Sequence, residues 1–346
     1  MALTYKIPGY DYEYEAELCE RFHASLPARV FDAHFHLSPN EIAGSDKAFL
    51  VPEAVRSVTP EQNFDIYKSD TEQYLGKGRL VGGLLMGNPK CFQTPEALDE
   101  ERIFSCETAA AHEGFVTGLL AMPWETPEKL VSFLERYPRI AALKPYRCYA
   151  QAPDTFEADI ATYAPDWMWE VAEQYALPVV LHLSHYKNML KDEANGRDIR
   201  RLSRAYPHAK IVLAHCALGH HPDKLRSGLA YLDGLDNVYM DCSGVSEALS
   251  IVYALRALGP GRVMYGSDGY HFGYMPGRVM AMGGNFLGIH KEPALPRDYR
   301  YHPLNNVCEG LLALTSACDL LSIEGQELEA IYYGTAGDLF YGACRQ

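Results

Sequence analysis

Short apolar segments rich in β-branched residues recur along the chain, separated by longer stretches with a helical pattern. The eight segments are VFDAHFH (30–36), RLVGGLLM (79–86), VTGLLAM (116–122), IAALKPY (140–146), PVVLHLS (178–184), KIVLAHC (210–216), VYMDCSG (238–244) and VMYGSDG (263–269). Strands buried on both faces have this pattern, and strands that alternate with helices pair in parallel through right-handed crossovers. Eight such units predict an α/β fold, a (β/α)8 TIM barrel, as one domain over residues 1–346.

The segments between the strands carry helix signals. TPEKLVSFLERY, after the third strand, has Thr126 at the capping position and Pro127 in the first turn, and PDWMWEVAEQYA precedes the fifth strand. We expect residues 1–29 to form a helical segment that closes the bottom of the barrel. Residues 303–342 are expected to supply one or two helices that complete the outer ring.

Two connections are longer than the usual loops of about 2–6 residues. They run from Leu37 to Gly78 after the first strand and from Tyr270 to about Tyr301 after the eighth. Barrels place their active sites at the carboxyl ends of the strands, so both segments are candidate lids. The alternatives are a homodimer contact or surface loops without a specific function. Within the second segment, the Gly- and Met-rich run 273–288 lacks a helix or strand pattern.

Composition narrows the class of protein. Forty-five Asp and Glu against 31 Lys and Arg give a net charge of −14, which disfavours nucleic acids and anionic membranes as partners. The N-terminus lacks the basic start and apolar run of a signal peptide, and no segment has the roughly 18 apolar residues of a membrane span, so we expect a cytoplasmic protein. Nine scattered cysteines without a CxxC pair indicate reduced thiols.

Histidine and aspartate residues recur at the ends of the predicted strands. His34 and His36 are two residues apart, so their side chains leave one face of the strand roughly 6.6 Å apart and can share a metal ion. Two histidines on an exposed strand would show the same spacing. However, His182, His215 and Asp268 end strands five, six and eight at the same rim, where core packing favours Val, Ile and Leu. These five residues predict a metal site.

The motifs FDAHFH, LKPY, PVVLHLS, KIVLAHC, NVYMDCSG, RVMYGSDG and IYYGTAGDLFY together resemble the amidohydrolase superfamily. The resemblance is to its amidohydrolase-2 branch, which groups metal-dependent hydrolases with non-oxidative decarboxylases of carboxylated aromatic or dienoic acids. It covers the chain from Val30 to Tyr341 and implies a (β/α)8 barrel. The chain departs from the family pattern in the two long connections and in HCALGHH after the sixth strand, so the identity of the substrate does not carry over.

The resemblance also implies a cofactor and a ligand set. One divalent metal ion, usually Zn²⁺ with Mn²⁺ or another divalent ion as the alternative, is expected on His34, His36, His182 and Asp268. His215 is expected beside the metal, where it polarises the substrate or transfers a proton.

Elementary chemistry agrees with this assignment. Nitrogen and oxygen ligands leave an open, Lewis-acidic metal position, where the pKa of a bound water falls to about 7. Asp268 can ligate the metal and accept the proton of the attacking water, and neutral His215 can stabilise negative charge on a carbonyl oxygen. These two are therefore the predicted catalytic residues. The alternatives are a hydrogen-bonded turn carboxylate and an ordinary core histidine.

Three residues at the end of strand four are candidate substrate contacts. Lys144 has three interpretations: a carbamate that bridges two metals, as in related two-metal barrels, a salt bridge inside the barrel, or a contact with substrate. Tyr146 and Arg147 approach the mouth, where an arginine fork suits a substrate carboxylate. Either residue could equally be an ordinary surface residue.

Further polar residues lie near the same rim. His185, His220, His221 and His271 are in loops, where they can contact substrate, act as acid or base, or simply be solvated. Asp32 shares the inward side of the first strand with its two histidines but lies deeper, so we expect a structural, hydrogen-bonded carboxylate.

Three function classes compete. The leading hypothesis is a metal-dependent hydrolase that cleaves a carboxylic ester, lactone or amide of a small polar molecule. The alternative is a carboxy-lyase, in which the metal and Arg147 hold a carboxylated substrate while Asp268 or His215 moves a proton as CO₂ leaves. The third is a non-catalytic barrel that binds a ligand.

Overall fold

The computed structural model describes residues 3, 12–39, 60–88, 94–269, 277–288 and 304–344. Within them, eight parallel strands form one sheet and pair in chain order. They are β1 (Val30–Leu37), β2 (Leu80–Gly87), β3 (Phe115–Ala121), β4 (Ile140–Pro145), β5 (Pro178–Leu181), β6 (Lys210–Leu213), β7 (Val238–Asp241) and β8 (Val263–Met264). The predicted barrel is confirmed, and each strand overlaps its predicted segment.

The last strand returns to the first. The Ala33 N–H donates to the Tyr265 carbonyl oxygen at 3.0 Å, and the Asp268 N–H donates to the His34 carbonyl oxygen at 2.9 Å. These bonds bring the loop after β8 against the residues of β1 that carry the predicted chelate. The ring of strands is therefore nearly closed at the rim where the predicted site lies.

Helices alternate with the strands. They are α1 (Glu13–Ser25), α2 (Pro60–Leu75), α3 (Pro95–Ala111), α4 (Pro127–Arg136), α5 (Asp166–Tyr175), α6 (Glu193–Ala205), α7 (Pro222–Gly228), α8 (Ala248–Leu258), α9 (Asn306–Leu321), α10 (Gly325–Glu329) and α11 (Thr335–Ala343). As predicted, α4 begins after Thr126, whose hydroxyl accepts the Lys129 N–H. None of the described helices is both long and apolar enough to cross a bilayer.

Among the described residues the last helix closes the bottom of the barrel and α1 does not, so the prediction that the N-terminal helix lies there is wrong for α1. Ala336 and Phe340 of α11 pack on interior side chains of the strands, and the Phe340 ring stacks on Phe31 at 5.9 Å. Helix α1 lies against α2 and α9 instead. An apolar stripe on α11 suits a barrel floor better than the acid-rich start of the chain, because the floor excludes water.

The two long connections contain regular structure. Helix α2 occupies part of the first and packs on β1, with the Tyr67 ring 4.1 Å from that of Phe35. The second contains an antiparallel hairpin of β9 (Val279–Met282) and β10 (Asn285–Gly288), although the run 273–288 lacks a strong helix or strand pattern. Residues 40–59, 270–276 and 289–303 lie outside the described part of the chain.

Strands β5 to β8 end earlier than their apolar runs. His182 directly follows β5, His215 lies two residues beyond the end of β6, and Asp268 lies four residues beyond β8. The backbone of His215 and Asp268 is left-handed, with φ of 56° and 53°, and a strand cannot continue through that conformation. The polar residues of the predicted strands are therefore loop residues at the rim.

Candidate metal centre

Four imidazoles meet at the carboxyl end of the barrel. His34 and His36 come from β1, His182 comes from the loop after β5, and His215 comes from a short left-handed helical turn, Ala214–Leu218, after β6. The His34 ring lies 5.1 Å from His36 and 4.8 Å from His215, and His182 lies 5.2 Å from His215. The structure therefore brings together four histidines that are up to 181 positions apart in sequence.

Asp268 completes the cluster. Its Oδ1 is 3.6 Å from His36 Nε2 and 3.8 Å from His34 Nε2. Ligand atoms of His34, His215 and Asp268 all lie within 4.8 Å of one another, a spacing that suits one metal ion. His215 thus lies among the candidate ligands and not only beside them. The structure contains all five residues that the sequence singles out.

Hydrogen bonds fix the orientation of three of the rings. Each Nδ1 lies next to a backbone carbonyl oxygen: His36 next to Met86 (3.2 Å), His182 next to Leu183 (3.1 Å) and His215 next to Ser243 (2.8 Å). A carbonyl oxygen only accepts, so each Nδ1 carries the proton. Each Nε2 then keeps its lone pair, which is the form of histidine that binds a metal ion.

Asp241 fixes the fourth ring. At the end of β7, its carboxylate accepts the Nδ1–H of His34 at 3.0 Å and the backbone N–H groups of His215 and Ser243, both at 3.1 Å. It also accepts the Ser243 hydroxyl. Sequence reasoning missed Asp241, because an acidic residue at a strand end shows only that it lies at the rim and not that it orients a ligand.

Burial and charge set the protonation states. Burial lowers the pKa of His34 to about 3, so the ring is neutral at neutral pH. Burial alone would raise the pKa of Asp241. The electrostatic attraction of His34 and the hydrogen bond from its ring outweigh burial and hold that pKa below the usual range. The pKa of Asp268 is low for a similar reason, because the surrounding histidines, His215 first, outweigh its burial. Ionised carboxylates and a neutral imidazole are the forms that bind divalent metals.

Lys144 adds a buried cation. Its Nζ is 4.8 Å from the centroid of the Tyr146 ring, and burial lowers its pKa to about 8. Nζ has no hydrogen bond or ion pair with any residue that the structure describes, so the predicted salt bridge is not formed. The Tyr146 ring in turn lies 6.4 Å from His36. Tyr146 therefore lies beside the cluster with Lys144 behind it, and the roles of both residues as substrate contacts, like the carbamate interpretation of Lys144, stay predictions.

Arg147 lies between two aromatic rings. Its guanidinium carbon is 4.1 Å from the centroid of Phe156 and 4.4 Å from that of Tyr186. Its Nε–H donates to the Tyr186 hydroxyl at 3.0 Å, and that hydroxyl lies 3.5 Å from His182 Nε2. Tyr186 thus connects Arg147 to the metal centre. Sequence reasoning did not identify Tyr186 as a residue of the site.

The loop histidines differ in whether they lie next to the cluster. His220 lies behind His215, with 6.3 Å between the ring centroids, and joins the site. His185 has other partners, since its ring nitrogens lie 3.3 Å from Glu157 and 3.2 Å from Asp159, and these carboxylates hold it outside the cluster.

The remaining rim residues have other roles. The His221 Nε2–H donates to the Gly283 carbonyl oxygen at 3.1 Å. His271 lies outside the described residues. Asp32 accepts hydrogen bonds from the Tyr67 hydroxyl, at 2.7 Å, and from Ser267, which matches the structural role predicted for it.

Comparison with known families agrees with this geometry. Residues 31–340 match the sequence model of the family described as amidohydrolase. The chain belongs to the amidohydrolase-2 family. A comparison with curated protein sequences gives no significant match.

Solved structures share the fold. A zinc-bound amidohydrolase from Burkholderia multivorans is 13% identical, with a TM-score of 0.54 over 91% of this chain and 99% of that protein. A 4-oxalomesaconate hydratase from Rhodopseudomonas palustris is 14% identical, with a TM-score of 0.56 over 90% and 95%. A manganese-bound 5-carboxyvanillate decarboxylase from Novosphingobium aromaticivorans is 14% identical, with a TM-score of 0.55 over 92% and 99%. The barrel of this amidohydrolase-2 protein thus resembles enzymes of several reaction types.

Proposed function

We propose that this amidohydrolase-2 protein is a metal-dependent hydrolase that cleaves a carboxylic ester, lactone or amide of a small polar molecule bearing a carboxylate. The observation that carries the proposal is the hydrogen bonding of the imidazole nitrogens in the cluster. Four imidazoles engage Nδ1 in hydrogen bonds and keep Nε2 as the acceptor nitrogen, and the Nε2 atoms of His34 and His36 lie 3.8 and 3.6 Å from an ionised Asp268. A core that served packing alone would not contain this set of groups.

The donor set fits one divalent cation, with Zn²⁺ as the first candidate and Mn²⁺ as the second. Ligand atoms of His34, His215 and Asp268 lie within 4.8 Å of one another and would share it, and His36 and His182 would complete the set. When bound, such an ion polarises a carbonyl group and makes a water more acidic. The absence of thiolate ligands agrees with a catalytic site that keeps an open position.

The residues of the chain then have definite roles. Asp268 Oδ1 accepts the proton of the attacking water, because its low pKa leaves it ionised at neutral pH. His215 directs its Nδ1–H toward the Ser243 carbonyl oxygen. Its Nε2 therefore acts first as an acceptor, and it can donate a hydrogen bond to a developing oxyanion only after it has taken up a proton. This ordering refines the role expected from the sequence.

Two cations are placed to bind a substrate carboxylate. Arg147 is held by two rings and a hydrogen bond, so little side-chain entropy is lost when it binds an anion. Lys144 Nζ is buried without a partner among the described residues, which is costly unless a ligand supplies one. The same two cations favour a second candidate function, the decarboxylation of an aromatic or dienoic acid.

Isotope labelling of the product tests the proposal. The metal-loaded protein would be screened against esters, lactones, anilides and carboxylated aromatic acids, and the active substrate would be turned over in ¹⁸O-water and in D₂O. A hydrolase places ¹⁸O in a new carboxylate. Deuterium on carbon with one equivalent of CO₂ would replace the hydrolase by the lyase, and binding without turnover would favour the non-catalytic barrel.

A further inference from the structure

The β9–β10 hairpin lies at the mouth of the barrel and is held at both ends. At its tip, His221 and Lys224 donate hydrogen bonds to the carbonyl oxygens of Gly283 and Gly284. At its base, the Ser246 hydroxyl donates to the Val279 carbonyl oxygen. A two-stranded hairpin has little stability of its own, so these bonds fix its position over the site.

One side chain of the hairpin reaches inward. The Phe286 ring lies 4.9 Å from His220 and 5.9 Å from Tyr186. His220 in turn lies 6.3 Å from His215, and Tyr186 lies 6.0 Å from His182. Phe286 thus lies next to two rings, those of His220 and Tyr186. Each of these rings lies next to an imidazole of the metal centre.

The location of this contact points to substrate selection. Phe286 comes from the long connection after β8, and His220 comes from the HCALGHH segment after β6. Both segments follow barrel strands at the rim where active sites lie, and barrel enzymes vary their chemistry through the loops at that rim. The two segments meet at the Phe286 ring, beside the imidazole cluster.

We propose that Phe286 is a specificity-determining residue that roofs the centre over His182 and His215. It limits the size of the substrate portion that points away from the metal, and it favours an apolar, flat group there. The inference rests on the proposed function, because it takes the imidazole cluster as the reacting site. The competing explanation is that Phe286 only packs the hairpin onto the barrel.

Reagent access separates the two explanations without requiring turnover. The full-length protein, as purified and after chelation that leaves its circular dichroism unchanged, is treated with diethyl pyrocarbonate or with the bulkier di-tert-butyl dicarbonate. Peptide mass spectrometry then gives the modification rates of His182 and His215. His208, whose side chain is 76% exposed, serves as the internal standard.

Phe286→Ala should raise the rates at both histidines by roughly threefold or more, and the gain should be larger for the bulky reagent, because local access limits the reaction. Phe286→Trp should lower both rates. The matched control is Met282→Ala, which truncates a 57% exposed apolar residue of the same hairpin and should change neither rate. Equal rates in the wild type and Phe286→Ala, or equal gains for both reagents, would overturn the proposal. Failure of the hydrolase assignment would show in the isotope experiment and would leave these rates unchanged.

Discussion

Asp241→Asn tests whether the electrostatic support of the centre is as the structure shows it. The carboxylate accepts four hydrogen bonds, of which one holds the His34 ring and three come from the backbone of His215 and from Ser243. Asparagine has the same shape but presents an NH₂ group in place of one oxygen. In one amide orientation this NH₂ faces the Nδ1–H of His34, and in the other it faces two backbone N–H donors. Neither orientation restores the native bonds.

The magnitude follows from what His34 must do. To avoid two donors in contact, its proton moves to Nε2, and the lone pair needed for a metal ion is lost. Replacing the carboxylate partner of a histidine ligand typically lowers metal affinity by about 10–100-fold. This corresponds to about 1.4–2.7 kcal/mol. We expect a loss in this range for Asp241→Asn.

Two measurements check the expectation. Competition with a chromophoric chelator gives the Zn²⁺ affinity, and ¹⁵N NMR of the metal-free protein gives the tautomer of His34. Asp32→Asn is the matched control, since Asp32 is equally buried but bonds only to hydroxyls and backbone N–H groups. It should leave the His34 tautomer unchanged. An Asp241→Asn protein that keeps both the wild-type tautomer and the wild-type affinity would refute the assignment of Asp241 as the positioning group.

Two further predictions concern the ligands and a buried carboxyl. His36→Ala should remove the metal ion and activity together, while His215→Ala should retain close to one equivalent of metal per chain and lose turnover; elemental analysis showing equal metal loss would make His215 an indispensable ligand. Burial raises the pKa of Glu101 from 4.5 to about 8, so the folded state keeps a proton that the unfolded chain releases near pH 4.5. The stability of the wild type relative to Glu101→Gln should therefore fall as the pH rises from 4.5 to 8, by about 1.4 kcal/mol per unit. Urea unfolding at pH 5 and pH 8 measures this difference, and parallel pH profiles would contradict it.

The sequence predicted the barrel well because barrel strands carry a local signal. Within PVVLHLS and KIVLAHC, the strand residues PVVL and IVL are all apolar, since both faces of each strand are covered. The exact ends of these strands were not predictable in the same way. His215 and Asp268 both adopt left-handed backbone; the turn residues of GSDG give a signal for this at Asp268, whereas KIVLAHC gives none at His215.

The bottom of the barrel and the hairpin at its mouth show a second limit of prediction from sequence. Helical periodicity identified the C-terminal region as helical, yet it could not show that Phe340 enters the barrel and stacks on Phe31. The two residues are 309 positions apart, and their contact depends on the arrangement of the whole ring of strands. Likewise, the pairing of β9 with β10 is set by the anchors on α7 and before α8 more than by the weak strand pattern of the hairpin itself.

The same contrast explains which parts of the site could be predicted. His34 and His36 signal a metal through their spacing, because a strand fixes where residues two apart must point. Asp241 gives no such signal, since its partner His34 is 207 positions away and lies opposite only after the barrel closes. Residues that would touch the metal must belong to a few chemical types, whereas a group that orients them can be any acceptor in reach, as Met86, Leu183 and Asp241 show. Chemistry therefore restricts the ligands more tightly than their supports, and the supports become visible only in the folded chain.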